Sequence, residues 1–472
     1  FTPASENPYY RQAKNETETK QENVTETAKN VWSSKRTSGD VSEIKEELGN
    51  NGKLQVVCPG ALLISKCAEV AEGFTGPEKA GETEFHFKIQ IPSAMNQTFQ
   101  VQKYQNGQKV GDLISLTFAN GKADIVLKDG ESLCIYGLEA NAAYSIEEVN
   151  LPGGYTLDEK SGENGKINAG KTMEAVFHNV YRADPAELTN GIFCVQKQFP
   201  NWEAFQGLSF DIVLSSDQKN APFPEGAQVT EKDGVRCMTK NVTNAQSIGF
   251  GTITFTRPGT FKYQIREQIP AENNRAGGVK YSQALYEVVV KVTDDGKGNL
   301  HAESTMWQKK DDKGAELNLA VADQIARIQN DYETDAVTLQ GAANLKVKKE
   351  LTGRDWMSDD AFTFTIGWDK DNPDAAKDVK LPEAITVKNG VEAHFGDIVF
   401  KEPGVYKLVI KERTGSLPGV TYADGTVKVT VVVTDNLDGT LTAKALPSGY
   451  QTEGNGVSIT GDRVMTFTNR YE

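Results

Sequence analysis

Residues 404–415 read GVYKLVIKERTG and residues 427–443 read VKVTVVVTDNLDGTLTA. β-Branched and aromatic residues dominate both runs, and the Asn/Asp/Gly cluster TDNLDGT separates two strand-like halves, so the pair predicts strands joined by a hairpin turn. Residues i, i+2 and i+4 of a strand share one face. Leu408, Ile410 and Glu412 therefore point the same way, and a carboxylate ends an apolar stripe. Outward from this point the same texture recurs in ETEFHFKIQI (82–91), QTFQVQKY (97–104), LYEVVVKV (285–292) and DAFTFTIG (360–367). The fold class is all-β.

The pattern repeats along the chain. GTFKYQIREQ (259–268) aligns with 404–413, and GVKYSQALYEVVVKVTDDGKGNLHAE (278–303) aligns with GVTYADGTVKVTVVVTDNLDGTLTAK (419–444). Three segments end in Asn-x-Tyr: Asn179-Val180-Tyr181, Asn330-Asp331-Tyr332 and Asn469-Arg470-Tyr471. These mark three expected β-sandwich domains, 56–182, 183–334 and 335–472, each of ordinary domain size. The first is shorter after YSIEEVNLPGGYT (144–156) and lacks the hairpin. Residues 1–55 are polar, as in KNETETKQENVTETAKN (14–30), and too poor in apolar groups to fold alone. They read as a leader or linker, with a short helix expected over 40–48, where Val41, Ile44 and Leu48 fall at helical spacing.

Bulk properties narrow the function. A net charge of −14 argues against nucleic acid and against anionic lipid as partners. No apolar run is long enough to span a bilayer. The five cysteines are odd in number and include no CxxC pair, so zinc is not expected and at most one disulfide is, for example Cys67 with Cys134. The turn at TDNLDGTL lacks the acidic residue that closes a calcium loop, so no metal and no cofactor are expected. No nucleophile elbow, zinc-protease helix or phosphate loop occurs, and the four histidines form no cluster, so the chain does not read as a turnover enzyme.

Strand parity locates the chemistry. Leu62, Ile64 and Lys66 share a face, as do Phe193, Val195 and Lys197, and Leu345, Val347 and Lys349; Lys348 lies on the opposite face. A middle strand adds a carboxylate to the inward face: Glu148 after Tyr144 and Ile146, Glu267 after Tyr263 and Ile265, and Glu412. Glu147 has the wrong parity. The last strand adds an amide: Asn179 after Phe177, Asn330 after Ile328, Asn469 after Phe467. A charged lysine or glutamate in a core is costly unless paired. Burial lowers the lysine pKa and raises that of the glutamate, so a proton can pass between them. The neutral amine is then a nucleophile toward the Asn side-chain amide, with the glutamic acid hydrogen-bonded to the Asn carbonyl and shuttling protons. Lys66–Asn179, Lys197–Asn330 and Lys349–Asn469 are the expected self-formed isopeptide crosslinks, closing loops of 113, 133 and 120 positions. The bland alternative is a set of satisfied polar core residues.

LKVKKELTGRDWMSDDAFTFTI (345–366), GVYKLVIKERTG, VKVTVVVTDNLDGTLTA and MTFTNRY (465–471) resemble the streptococcal pilin isopeptide-linkage domain of Gram-positive pilins. The second repeat is similar, with FCVQKQFPNWEAFQGLSFDIVL (193–214) a looser match. The first, with AVFHNVY (175–181), resembles the CnaB-type domain of collagen-binding adhesins and pilins. The resemblance implies tandem inverse immunoglobulin-like sandwiches, Lys–Asn bonds with a catalytic Glu at the positions just named, and sortase-mediated display on the cell wall of a Gram-positive bacterium, among other pilin subunits. No LPxTG-like sorting signal and no YPKN-like pilin motif is present, so an adhesin stalk stands beside a fibre subunit. A host-ligand-binding module, gripping matrix protein or glycan through the first domain, is the alternative. Trp202 and Trp356 are candidate contacts that more often prove to be core.

Overall fold

The computed structural model describes residues 59–189, 193–245 and 247–472. The leader and its expected helix lie outside the described residues. Extended strands dominate the described chain, and no described helix is long and apolar enough to cross a membrane.

Strand pairing falls into three consecutive blocks. Between residues 60 and 181, a six-stranded sheet faces a four-stranded one, and the side chains between them form the core: Leu62 and Ile64 from Gly60–Val70, Phe85, Phe87 and Ile89 from Phe85–Gln90, and Phe177 from Thr172–Tyr181. The alternation in Phe85–Gln90 of buried and exposed residues is the period-2 pattern expected of a sheet with one wet face. From 186 to 332, a three-stranded sheet faces a seven-stranded one. From 337 to 471, two five-stranded sheets enclose a separate core that includes Val347, Phe364, Leu408, Val429 and Phe467. The apolar core of the first block runs without a break into that of the second.

In every block an early and a late strand pair in parallel, and a middle strand faces them from the opposite sheet. Gly60–Val70 lies beside Thr172–Tyr181, Cys194–Gln198 beside Ile325–Gln329, and Lys346–Thr352 beside Val464–Tyr471. Parallel pairing needs a long crossover, and here almost the whole block is the crossover. TDDGKGN and TDNLDGT form the expected turns, joining Leu285–Asp294 to Leu300–Lys310 and Thr426–Asp435 to Leu441–Glu453.

No disulfide links Cys67 and Cys134. Sheet register places Cys134 opposite Leu63, four residues along the strand from Cys67, and roughly 13 Å of strand exceeds the reach of a disulfide. Trp202 is buried among Phe199 and Phe210, and Trp356 stacks edge-on to Phe362, so both serve the core.

Candidate functional site

Register alone brings lysine and asparagine together. Lys66 pairs with Phe177, Lys197 with Ile328 and Lys349 with Phe467. The asparagine follows two residues later in each case, on the same inward face. The glutamate arrives across the core from the facing sheet, at the end of Ala143–Val149, Gly259–Glu267 or Gly404–Glu412. Aromatic rings floor the pocket: each ammonium nitrogen sits 4.3 to 4.9 Å from a ring centroid, of Phe85, Phe210 or Phe362. All three lysines and all three asparagines are buried.

The second and third sites are near-copies. Lys197 Nζ donates to Glu267 Oε2 at 3.0 Å, and Asn330 Nδ2 donates to Glu267 Oε1 at 2.8 Å. Lys349 Nζ donates to Glu412 Oε2 at 2.9 Å, and Asn469 Nδ2 donates to Glu412 Oε1 at 2.9 Å. One carboxylate thus bridges the amine and the amide nitrogen. The amide oxygen is held separately: Ser282 N–H donates to Asn330 Oδ1 at 2.8 Å, and Ala423 N–H to Asn469 Oδ1 at 2.7 Å. In the second site Asp312 braces that donor, accepting from Ser282 Oγ at 2.6 Å and from Gln329 N–H, next to the asparagine, at 2.9 Å.

The first site has the same members and a looser arrangement. Lys66 Nζ lies 3.5 Å from Glu148 Oε1 and donates to the Cys67 carbonyl at 2.8 Å. Asn179 Nδ2 donates to Glu148 Oε1 at 3.0 Å. Asn179 Oδ1 and Glu148 Oε2 are buried without any hydrogen-bond partner.

Burial sets the electrostatics. Desolvation pulls Lys66, Lys197 and Lys349 below the ordinary lysine value, Lys349 to about 8, while the paired carboxylate partly opposes the shift. Desolvation likewise pushes Glu148, Glu267 and Glu412 above the ordinary glutamate value, against the pull of the lysine. Both partners move toward their neutral forms. Among the described residues no group of three or more His, Cys, Asp or Glu side chains is gathered as a metal ion would need.

Comparison with known proteins bears on these sites. Residues 193–332 and 345–472 each match the model of the Spy0128-like isopeptide-containing domain, together more than half of the chain. The chain belongs to the Spy0128-like isopeptide-containing family. Residues 61–181 match a different model, a domain of unknown function (DUF7601). No curated protein matches the chain. Among solved structures, the major pilin from Streptococcus pyogenes is 16% identical, with 61% of this chain covering 98% of that one at a TM-score of 0.19. The pilus-presented adhesin Spy0125 (Cpa) is 22% identical over 27% of this chain and 28% of that one, at a TM-score of 0.21. The pilus adhesin SpaC from Lactobacillus rhamnosus GG is 10% identical over 88% and 44%, at 0.17. The chain thus spans about a quarter of the length of the first of these adhesins.

Two matches to the isopeptide-containing model end at or just after the Asn-x-Tyr segments, and in each block the expected Lys, Glu and Asn side chains lie together. The expected decoys are also where parity puts them: Glu147 is exposed, and Lys348 pairs with Glu350 at 2.9 Å on the other face of its strand. One detail of the expected chemistry needs correction. Each glutamate meets the Asn amide nitrogen, not the carbonyl. The carbonyl of Asn330 or Asn469 is taken by a backbone N–H from a loop, because the Asn strand is flanked there by the segment before Leu285 or Thr426. Ser282 and Ala423 carried no signal in the sequence, since a backbone donor leaves no side-chain mark. The nearest cue is the aligned KYSQA and TYADG stretches, which precede the two Val-rich strands at the same offset.

Proposed function

We propose that the chain is a structural subunit of a Gram-positive surface pilus, or the stalk of a pilus adhesin, built of three sandwiches locked by Lys66–Asn179, Lys197–Asn330 and Lys349–Asn469 isopeptide bonds. The proposed domain limits are 56–182, 183–334 and 335–472, after a leader over 1–55. The observation that carries the reading is a single buried carboxylate bridging an amine and a side-chain amide at two sites of nearly equal geometry, inside the two regions that match the isopeptide-containing family. A glutamate so placed takes a proton from lysine Nζ and returns it to Asn Nδ2. Nζ bonds to Asn Cγ, the Cγ–Nδ2 bond breaks, and ammonia leaves. The backbone N–H on Oδ1 stabilises the oxygen as it gains negative charge. Folding supplies proximity, and the reaction runs once per site. Sortase-mediated attachment to the wall and to other pilin subunits belongs to the same proposal.

The crosslink joins an early strand to a late one, so tension entering one end leaves by the other without unzipping the sheets. By analogy with disulfides, closing a loop of ~100 residues adds on the order of 4–5 kcal/mol. Intact mass tests the proposal: each bond removes one ammonia, ~17 Da by covalent bookkeeping, and fragmentation must return Lys–Asn-linked peptides. A mass equal to the unmodified sequence overturns it.

A second reading, binding of a host polypeptide by the first block, draws on one observation. The edge strand Gln108–Thr117 of the six-stranded sheet turns Val110, Leu113 and Ile114 to solvent, and exposed edge strands accept added strands. Binding of matrix protein to the intact chain that Ile114→Lys abolishes would support it.

A further inference from the structure

The two junctions between blocks repeat one contact set. At the first, Tyr181 is fully buried; its hydroxyl donates to Asp294 Oδ1 at 2.7 Å and accepts from Gly298 N–H at 3.1 Å. Asp184 N–H donates to the Gly298 carbonyl at 2.8 Å. At the second, Tyr332 donates to Asp435 Oδ1 at 2.7 Å and accepts from Gly439 N–H at 3.1 Å, while Asp335 N–H donates to the Gly439 carbonyl at 2.8 Å. Asp294/Gly298 and Asp435/Gly439 are the corresponding corners of the two hairpin tips.

The tips also press on a Gly-Gly turn of the preceding block. A Cβ on Gly153 would collide with the Lys297 carbonyl, and one on Gly277 with the Asp438 carbonyl. Two glycines at matching positions admit a backbone that no other residue would admit.

We propose that the end face of a sandwich, made of the Asn-x-Tyr tyrosine and the Gly-Gly turn, is a docking socket whose partner is an Asp-x-x-x-Gly hairpin tip of a following immunoglobulin-like module. The two filled sockets hold the three sandwiches as one stiff rod, whether or not the crosslinks form. The third block supplies the contrast. Tyr471 and Gly419 occupy the matching places, and Glu472 N–H donates to the Gly419 carbonyl at 2.9 Å, just as Arg182 and Glu333 donate to Gly154 and Gly278. The residue matching Gly153 and Gly277 is Pro418, whose ring fills the space the tip carbonyl needs. Tyr471 is 37% exposed. That end face refuses the same tip, so a partner there must approach differently.

Hydrogen exchange on the intact chain, read by peptide mass, tests the socket. In the unaltered protein the amides of 298 and 439 exchange slowly although they lie in turns. Tyr332→Phe should speed exchange at 435–439 roughly tenfold, the scale of one net hydrogen bond. Gly277→Ala should speed it roughly a hundredfold through the steric clash. Gly277→Pro, which transplants the third block's residue, should act like the alanine. In each case the tip at 294–299 and the strand Thr426–Asp435 keep their protection, which separates an opened joint from an unfolded block. Free exchange at both tips in the unaltered chain, or unchanged protection in both Tyr332→Phe and Gly277→Ala, overturns the proposal.

Discussion

In the third sandwich the Asn469 carbonyl receives an N–H from Ala423 and both Glu412 oxygens are engaged; in the first, the equally buried Asn179 Oδ1 and Glu148 Oε2 meet no donor, and the Lys66 ammonium leans on a backbone carbonyl. The three side chains are the same in both places. What differs is the loop beside the asparagine. In the third block residues 421–425 lead into Thr426–Asp435 and put Ala423 N–H over the amide. In the first block Tyr155–Ser161 pairs directly with the Asn strand, with a register shift at His178/Asn179, and no N–H falls there. A triad brings reactants together; the fourth group sets the electrostatics of the reacting carbonyl. Under the proposed crosslinking chemistry, reactivity at these sites depends on a backbone donor as well as on the triad.

The largest effect should come from removing the bridging carboxylate. Glu412→Ala leaves an unpaired lysine and no proton carrier, and general acid–base catalysis alone contributes roughly 10²–10⁴ in rate. The expected mass gain over the parent, after correction for the substitution, is one ammonia, with the second site still linked. Glu148→Ala should likewise restore one ammonia, at the first site. If Glu412→Ala still links Lys349 to Asn469 at the parent rate, the shared mechanism fails.

Next in size is the donor itself. Freshly folded chain followed by mass spectrometry should lose two ammonias early and the third late, because an oxyanion donor is worth roughly 10²–10³ in rate. Ala423→Pro removes that N–H and should slow the third site toward the first, with protection of Thr426–Asp435 as the control for folding. Equal rates at all three sites would erase the distinction drawn from Asn179.

The triads were legible in the sequence because each member sits at the end of an apolar period-2 stripe, and parity separated Glu148 from Glu147 and Lys349 from Lys348. The all-β class was legible from the same alternation. The donors and the joints were not. Ser282 and Ala423 act through main-chain atoms, and Tyr181 reaches Asp294 across 113 positions of chain, a contact that no local pattern encodes. The glycines at 153 and 277 read as turn residues, and only the approach of a second block's backbone gives them a further reason.

A smaller effect separates a linked from an unlinked third site by pH. In Asn469→Ala the lysine stays titratable. Its folded pKa of about 8 lies below the unfolded value of 10.5, so between those pH values the unfolded chain binds more protons and stability rises with pH. The raised Glu412 pKa works the other way: stability falls as pH climbs from the ordinary glutamate range through the folded value. Denaturant unfolding of Asn469→Ala should therefore show a rise of up to about 3 kcal/mol from pH 8 to 10.5. The parent, with the proposed Lys349–Asn469 amide in place, should show no such rise from this residue.

The smallest effect is expected at the decoys, and it tests the parity argument most directly. Lys348 is half-exposed and pairs with Glu350, one residue from the buried Lys349. Glu147 is exposed, one residue from Glu148. Surface pairs contribute roughly 0–1 kcal/mol, so Lys348→Ala and Glu147→Gln should leave both the bond count and the order of bond formation unchanged, with stability moved by no more than that amount. A one-residue register slip would exchange the faces and make Lys348 the nucleophile. Loss of an ammonia deficit in Lys348→Ala, with Lys349→Ala still linked, would place the wrong lysine in the core and remove the basis for comparing the sites.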